Sequence, residues 1–282
     1  MSIISRASVI FARKWIGGIT ISDAIKASKE LNSKGEKVII NYLGEDLSDK
    51  LKVDRDVRVY SQILIEMHKH GIKGSIAVKP TQLGLRISYQ MFISNYEKIL
   101  DHAKKYKIFV WLDMEDYMTV DNTVKAYLKT FRKYGGTGIC IQSKLKRSLK
   151  DIKAITSKGG IIRLVKGAYK ARDGITYMTK SEVDSNYTKC MDYLFNNSKR
   201  FMIATHDIRI IDKAKALETK HGPSAMFGML KGIRPSLASN LASSGEDIFI
   251  YLPFGEEWLN YSIRRLKELE HSLLIARSIV EG

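Results

Sequence analysis

The sequence predicts a single (β/α)8 barrel of the TIM type, and three observations predict it. Eight short apolar runs rich in branched and aromatic residues recur along the chain. Segments with helical periodicity separate them, so strand and helix alternate throughout. The chain has 282 residues, close to the ~250 of a typical α/β barrel, and no Ser/Gly/Pro-rich linker, low-complexity tract or short-period repeat divides it. The expectation is one domain over residues 1–282, with N-terminal helices in 1–35 and the barrel and C-terminal helices in 36–282.

The runs, in order, are Val38–Leu43, Gly74–Val78, Ile108–Leu112, Gly138–Ile141, Ile161–Val165, Phe201–Ala204, Ala225–Leu230 and Asp247–Leu252. Most are nearly continuous in hydrophobicity, as parallel strands covered on both faces require. Between them, Val53–Lys69 carries Val57, Tyr60, Ile63, Leu64 and Met67 on one face of a helical repeat. Ser88–Lys105, Val120–Tyr134, Leu145–Ser157, Lys180–Ser198, Arg209–His221 and the weaker Arg234–Ser243 behave likewise. Asp121 and Ser181 suit helix starts, because each side chain can accept an orphan backbone N–H. Glu256–Leu269 and His271–Val280 read as closing helices, the first lying over the active-site rim. The helices of residues 1–35 are expected to cover one end of the barrel. The alternative, an open doubly wound sheet, is disfavoured by eight strands and by the lack of a GxGxxG turn.

Composition narrows the function classes. Cys140 and Cys190 stand far apart with no CxxC or Cys/His spacing, which argues against a zinc site, an iron–sulfur cluster or a disulfide framework, so no metal is expected. Cys140 lies inside an apolar run, where a buried thiol is the plain reading. An intracellular, reducing compartment fits. The N-terminal apolar stretch is broken by Arg6 and by Arg13-Lys14; it suits an amphipathic helix better than a secretory leader. No uninterrupted run reaches transmembrane length, so a cytoplasmic protein is expected, with peripheral attachment to the inner face of the membrane as an alternative. The net charge is +17, which favours anionic partners. The lysines are spread over most helical segments and no nucleic-acid module is recognisable, so solvated helix faces are the simpler account and no nucleic-acid partner is expected.

In a barrel of this kind the chemistry sits at or just past the carboxyl ends of the strands. Those positions read Asn41 to Glu45, Lys79 to Gln82, Asp113 to Asp116, Gln142-Ser143, Arg163 with Lys166 to Tyr169, Thr205 to Asp207, Leu230 to Gly232, and Tyr251. Singly, Lys79 reads as a solvated loop lysine, Asp113 as a helix cap and His206 as a satisfied core histidine. Their coincidence on one rim favours a site. Lys79, Arg163, Lys166 and Arg264-Arg265 make that rim basic overall, with Glu45 and Asp113 supplying the opposite sign, and a basic rim suits a phosphate-bearing cofactor and a carboxylate substrate. Arg264 and Arg265 follow a tight turn at Pro253 and Gly255, with Glu268 one turn on. Two guanidinium forks can clamp one carboxylate; equally, the pair can be exposed, with a helical salt bridge worth about 0.5 kcal/mol.

Taken together, NYLGE at 41–45, KPTQLG at 79–84, WLDMED at 111–116, RLVKGAY at 163–169, ATHD at 204–207 and YLPFGEEWLNYSIRRLKE at 251–268 resemble the signatures of the proline dehydrogenase family, in the family's order and over nearly the whole chain. The resemblance implies oxidation of L-proline to Δ1-pyrroline-5-carboxylate by noncovalent FAD, with electrons passing on to a quinone. It implies that Lys79, Arg264 and Arg265 hold the substrate carboxylate and that Asp113 organises the pocket through Lys79 and Tyr251. Arg163 would lie beside the flavin. Met114, Gln142, Lys166, Gly167, Ala168, Thr205 and His206 would also contact FAD. Tyr169, Leu230 and Tyr251 would pack on the proline ring, Glu268 would brace the arginine pair, and Glu45 would be a gate acid pairing with Arg264 when the site is empty.

The chain departs from the family pattern in two places. Gln142 to Ser148 lacks an aromatic residue that members often carry, and Lys231 replaces a common aromatic; both bear on the outer contacts of the cofactor and on FAD against FMN. No aldehyde dehydrogenase segment follows, so a separate pyrroline-5-carboxylate dehydrogenase is expected to take the next step. Two other readings stay open: oxidation of another cyclic imino acid such as hydroxyproline, and a catalytically inactive basic barrel that binds an acidic partner or membrane surface.

Overall fold

All eight apolar runs form strands, and all eight strands are parallel. The computed structural model describes residues 14–169, 174–222, 224–259 and 261–263. In chain order the elements are α1 (Ile21–Asn32), β1 (Lys37–Tyr42), α2 (Lys50–Lys69), β2 (Gly74–Val78), α3 (Tyr89–Tyr106), β3 (Phe109–Leu112), α4 (Val120–Tyr134), β4 (Thr137–Gln142), α5 (Ser148–Thr156), β5 (Ile162–Val165), α6 (Lys180–Asn197), β6 (Phe201–Ala204), α7 (Ile208–His221), β7 (Met226–Leu230), α8 (Pro235–Ser243) and β8 (Ile248–Phe254). Each strand pairs with the next, and β8 returns to β1 with Ile39 opposite Tyr251, which closes the sheet into a barrel. The helices form the outer layer, as right-handed crossovers demand.

The barrel interior is filled by residues that alternate along the strands. Ile39, Ala77, Trp111, Met202, Met226 and Phe249 make one apolar cluster inside it. Trp111 fits because Gly138 faces it across the sheet, where a Cβ would stand 2.4 Å from the indole ring. The larger cluster, including Val38, Ile76, Val110, Ile139, Leu164 and Ile203, packs the outer faces of the strands against the helices. This inner plug fills the barrel beneath the carboxyl rim, where barrels of this kind carry their chemistry.

Three expectations need correction. Helix α4 is preceded by Thr119, with Asp121 inside the first turn. Helix α6 is capped by Thr179 in a reciprocal capping box with Glu182, not by Ser181. In both cases a threonine just upstream enters the helix first, and the acidic residue meets the positive end of the helix dipole instead. The third correction concerns α1, which packs on the outer wall against β1 and β8, burying Ala24, Ile25 and Ser28, rather than covering an end of the barrel. β1, as the first strand, has no preceding crossover helix, and the amphipathic α1 covers the wall where β8 meets β1. The chain after β8 turns at Gly255 and enters a helix at Trp258, and Trp258 and Tyr261 pack against Ile16 and Leu43. The rest of the expected closing helices, with Arg264, Arg265 and Glu268, lies outside the described residues, as do residues 1–13. Among the described residues no helix is long and apolar enough to cross a membrane.

Candidate active site

Asp113 is the hub of the carboxyl rim. It follows β3 directly, and its N–H donates to Val78 O at 2.9 Å, so strand pairing continues past Leu112 and aims the side chain inward. One carboxylate oxygen accepts from Arg163 Nη2 and the other accepts from the Tyr251 hydroxyl at 2.7 Å. Lys79 Nζ stands 4.0 Å from that second oxygen. Four strands (β2, β3, β5 and β8) therefore converge on one carboxylate from different sides of the barrel.

Arg163 lies within β5 and is nearly buried, its side chain 5% exposed. Its guanidinium rests 5.4 Å from the ring centres of both Trp111 and Tyr251, so aromatic faces replace part of its lost hydration. Burial alone would lower its pKa, yet Asp113 outweighs that and the group is held above the ordinary arginine value. Nη1 is buried with no hydrogen-bond partner. A buried donor without a partner on a cationic group is expensive, and it fits a site whose acceptor comes from a bound molecule.

Lys79 faces a second carboxylate. Its Nζ donates to the Tyr169 hydroxyl at 3.2 Å, and that hydroxyl donates to Glu45 Oε2 at 2.9 Å; Lys79 Nζ and Glu45 Oε2 are 3.7 Å apart. Burial would discharge the ammonium, but Tyr169, Tyr251, Asp113 and Glu115 around it more than offset this, and its pKa lies well above the usual lysine value. The lysine is therefore charged at neutral pH.

A third group gathers at the ends of β5 and β6. Lys166 Nζ contacts Asp184 at 2.6 Å and Asp207 at 3.4 Å, joining the strand end to the first turns of α6 and α7. Asp207 caps α7 and also pairs with Arg209. Burial would raise the Asp207 pKa, but Arg209 and Lys166 bring it down to about 2. Thr205 Oγ1 accepts from Asp207 N at 3.1 Å, and His206 Nε2 accepts from Leu230 N at 2.8 Å. Gly167 has φ +105, and a Cβ there would lie 2.7 Å from Gln142 Oε1, so only glycine follows Lys166 at this approach. Gln142 Nε2 donates to Met114 O and Glu115 O at 3.1 and 2.7 Å, which fixes the exit from β3. Ala168 and Tyr169 continue the β5 exit toward Lys79.

Thus Glu45, Lys79, Asp113, Arg163, Tyr169 and Tyr251 share one constellation, while Lys166, Thr205, His206 and Leu230 form a neighbouring one. The rim is not simply basic. Among the described residues Lys79, Arg163 and Lys166 all face carboxylates. Trp111, Thr81 and Glu115 lie within segments that the sequence singles out but receive no role there, and Asp184 is not named. Trp111 was accessible, because 109, 111 and 113 share one face of a strand of period two. Glu115, 2% exposed, accepts from Thr81 N at 2.8 Å and from Thr81 Oγ1 at 2.6 Å. Asp184 lies one turn past Lys180 on α6, at the helix end that every βα unit points toward the rim. Among the described residues no group of three metal-ligating side chains occurs.

The sequence model of the family described as Proline dehydrogenase matches residues 24–272. Proline dehydrogenase 2 of Bacillus subtilis (strain 168) is 34% identical over 272 residues, covering 95% of this chain and 90% of its own length. The proline dehydrogenase of Deinococcus radiodurans is 31% identical over 279 residues, covering 96% of this chain and 89% of its own. Among solved structures, proline utilization A from Bdellovibrio bacteriovorus superposes with a TM-score of 0.87 at 23% identity, over 93% of this chain and 33% of that chain. That likeness is one of fold, and the present chain spans about a third of that protein. With the family model and full-length relatives in agreement over nearly all of its length, the chain belongs to the proline dehydrogenase family.

Proposed function

We propose that the protein oxidises L-proline to Δ1-pyrroline-5-carboxylate with bound FAD and hands the electrons to a quinone. The observation that carries this reading is the convergence of Lys79, Arg163 and Tyr251 on Asp113, at the strand ends where the family motifs fall. The overall change removes a hydride from the ring carbon next to nitrogen, on the side away from the carboxylate, and a proton from the nitrogen, leaving a C=N bond. FAD, when bound, supplies the hydride acceptor.

The chain's own residues bind, orient and hold charge. Lys79, charged and at the mouth, takes the substrate carboxylate, together with Arg264 and Arg265. Tyr169, Leu230 and Tyr251 shape the space for the five-membered ring, and Glu268 braces the arginines. Asp113 keeps Arg163, Tyr251 and Lys79 in fixed relation, so that positioning needs no reorganisation during reaction. The unpartnered Nη1 of Arg163 fits a flavin acceptor at the bottom of the mouth. Met114, Gln142, Lys166, Gly167, Ala168, Thr205 and His206 fit the remainder of FAD. A lysine and an arginine near the amine disfavour its ammonium form and favour the form that can be oxidised.

Electron transfer to a quinone and attachment of a basic protein, net charge +17, to the inner face of a cytoplasmic membrane belong to the same proposal. So does a separate dehydrogenase for the product. The test is product identity. Isotope-labelled L-proline is turned over with a soluble quinone, the product is identified by mass spectrometry, and the flavin is released by acid and identified by chromatography. Labelled pyrroline-5-carboxylate with released FAD supports the proposal. Turnover of hydroxyproline alone, or release of FMN, would revise it.

A further inference from the structure

Glu45, the acid that faces Lys79, stands next to a residue in an unusual conformation. Asp46 has φ +56, the left-handed region that a residue other than glycine enters at a cost unless its surroundings impose it. Two sets of contacts impose it here. The Asp46 N–H donates to Thr81 Oγ1 at 2.8 Å, and Thr81 is itself held through its N–H and hydroxyl by the buried Glu115 carboxylate. The Asp46 carboxylate accepts from Arg86 Nε at 2.8 Å, and Arg86 Nη2 reaches across to Asp116. Glu115 and Asp116 leave β3 just after Asp113, and Thr81 and Arg86 lie on the connection from β2 that also carries Lys79. Asp46 is therefore tied from two directions to the loop that carries Lys79.

These ties fix the backbone immediately after Glu45. With Asp46 fixed, the preceding carboxylate is presented to the Tyr169 hydroxyl and to Lys79 Nζ at 2.9 and 3.7 Å. That is the cation to which the proposed function assigns the substrate carboxylate, and this inference rests on that assignment. A carboxylate built into the chain then occupies the place of the incoming one.

We propose that Asp46, pinned by Arg86 and Thr81, is a positioning residue that holds Glu45 on Lys79 and so makes Glu45 an internal competitor for the substrate carboxylate. Loosening Asp46 then frees the cation, and carboxylate ligands bind more tightly. A residue that merely supported the loop would give the opposite result when removed.

The experiment uses the flavin-containing protein and cyclopentanecarboxylate, a ring-shaped carboxylate with no nitrogen to oxidise, with its Kd read by titration calorimetry. Asp46→Gly retains the backbone conformation and the N–H bond to Thr81 and removes the carboxylate tether to Arg86; Arg86→Gln removes that tether from the other side. Each is expected to tighten Kd by about two- to fivefold, the span that one partly exposed ion pair supports, and to lower KM for L-proline by a similar factor. Glu45→Gln should give the same gain. Asp46→Gly combined with Glu45→Gln should give no further gain, because both act through one contact. Asp46→Asn, which tolerates positive φ and still offers Arg86 an acceptor, should stay within twofold of the parent. Unchanged or weaker binding in Asp46→Gly and Arg86→Gln, or full additivity with Glu45→Gln, would overturn the proposal. Lys79→Met separates it from the reading beneath it: if cyclopentanecarboxylate binds equally well without Lys79, the assignment of Lys79 itself falls.

Discussion

Replacing Asp113 by Asn tests the hub of the site, and its cost can be worked from the contacts. The Asp113 and Arg163 side chains are 8% and 5% exposed, so the pair is shielded from water. Removing one member of a buried pair, and leaving the other charge uncompensated, costs about 3–5 kcal/mol. Asn keeps one acceptor oxygen for Arg163 or Tyr251, which recovers about 1 kcal/mol. The net loss is about 2–4 kcal/mol. A chain of 282 residues unfolds with an entropy of about 0.6 kcal/mol/K, at about 2.1 cal/mol/K per residue, so the Tm should fall by about 3–7 °C. Thermal unfolding followed by far-ultraviolet circular dichroism at neutral pH reads this directly. Arg163→Met in the same background is the companion measurement. It removes the stranded charge and lets apolar atoms pack against Trp111, so the double variant should melt above Asp113→Asn alone. A Tm within 1 °C of the parent for Asp113→Asn, or strict additivity of the two changes, would refute the picture of a mutually dependent buried pair.

Three further outcomes follow from named contacts. Gly138→Ala pushes a methyl into the Trp111 ring, 2.4 Å away at the ideal position, and should cost about 1–3 kcal/mol by overpacking, read as a lower urea midpoint at unchanged slope. Asp207→Asn keeps an α7 cap but loses the pairs to Arg209 and Lys166. Because the Asp207 pKa is depressed to about 2, its stabilisation is complete above the unfolded value of about 4 and is lost as pH falls through 2. With Arg209 76% exposed, screening limits it to about 1 kcal/mol. Parent and variant should differ by that amount at pH 6 and converge near pH 2, as urea titrations across pH would register. Arg265→Met should raise KM for L-proline about tenfold or more while flavin stays bound, since a charged hydrogen bond to a carboxylate contributes about 1.5–3 kcal/mol; an unchanged KM would remove the clamp assignment.

Most of the fold was legible because each element announces itself locally. The expected runs Gly74–Val78 and Phe201–Ala204 are strands with those same limits, since a buried parallel strand is a continuous apolar run bounded by polar turns. Helix starts were less legible. An Asp in the first turn and an Asp before it are both favourable, and only the backbone entering at Thr119 or Thr179 distinguishes them. The place of α1 was not legible, because which wall it covers depends on β8 meeting β1, a contact between chain ends. The same holds for the site. The candidate residues at the strand exits could be named in advance, but not that Tyr251 and Arg163 would share Asp113, or that Glu45 would face Lys79. Those pairings span 138, 50 and 34 positions and exist only once the barrel closes. The carboxylate of Asp184 beside Lys166 was likewise not legible at the strand exits, because it comes from a helix turn that is not itself a strand exit.

The measurement that bears most directly on the central claim is the visible spectrum of the purified protein under anaerobic conditions, before and after L-proline is added. The expected result is a flavin band that is present as isolated, or after FAD is supplied, and that bleaches on addition of L-proline alone. A flavin band indifferent to L-proline, or a protein that binds no flavin, would contradict it.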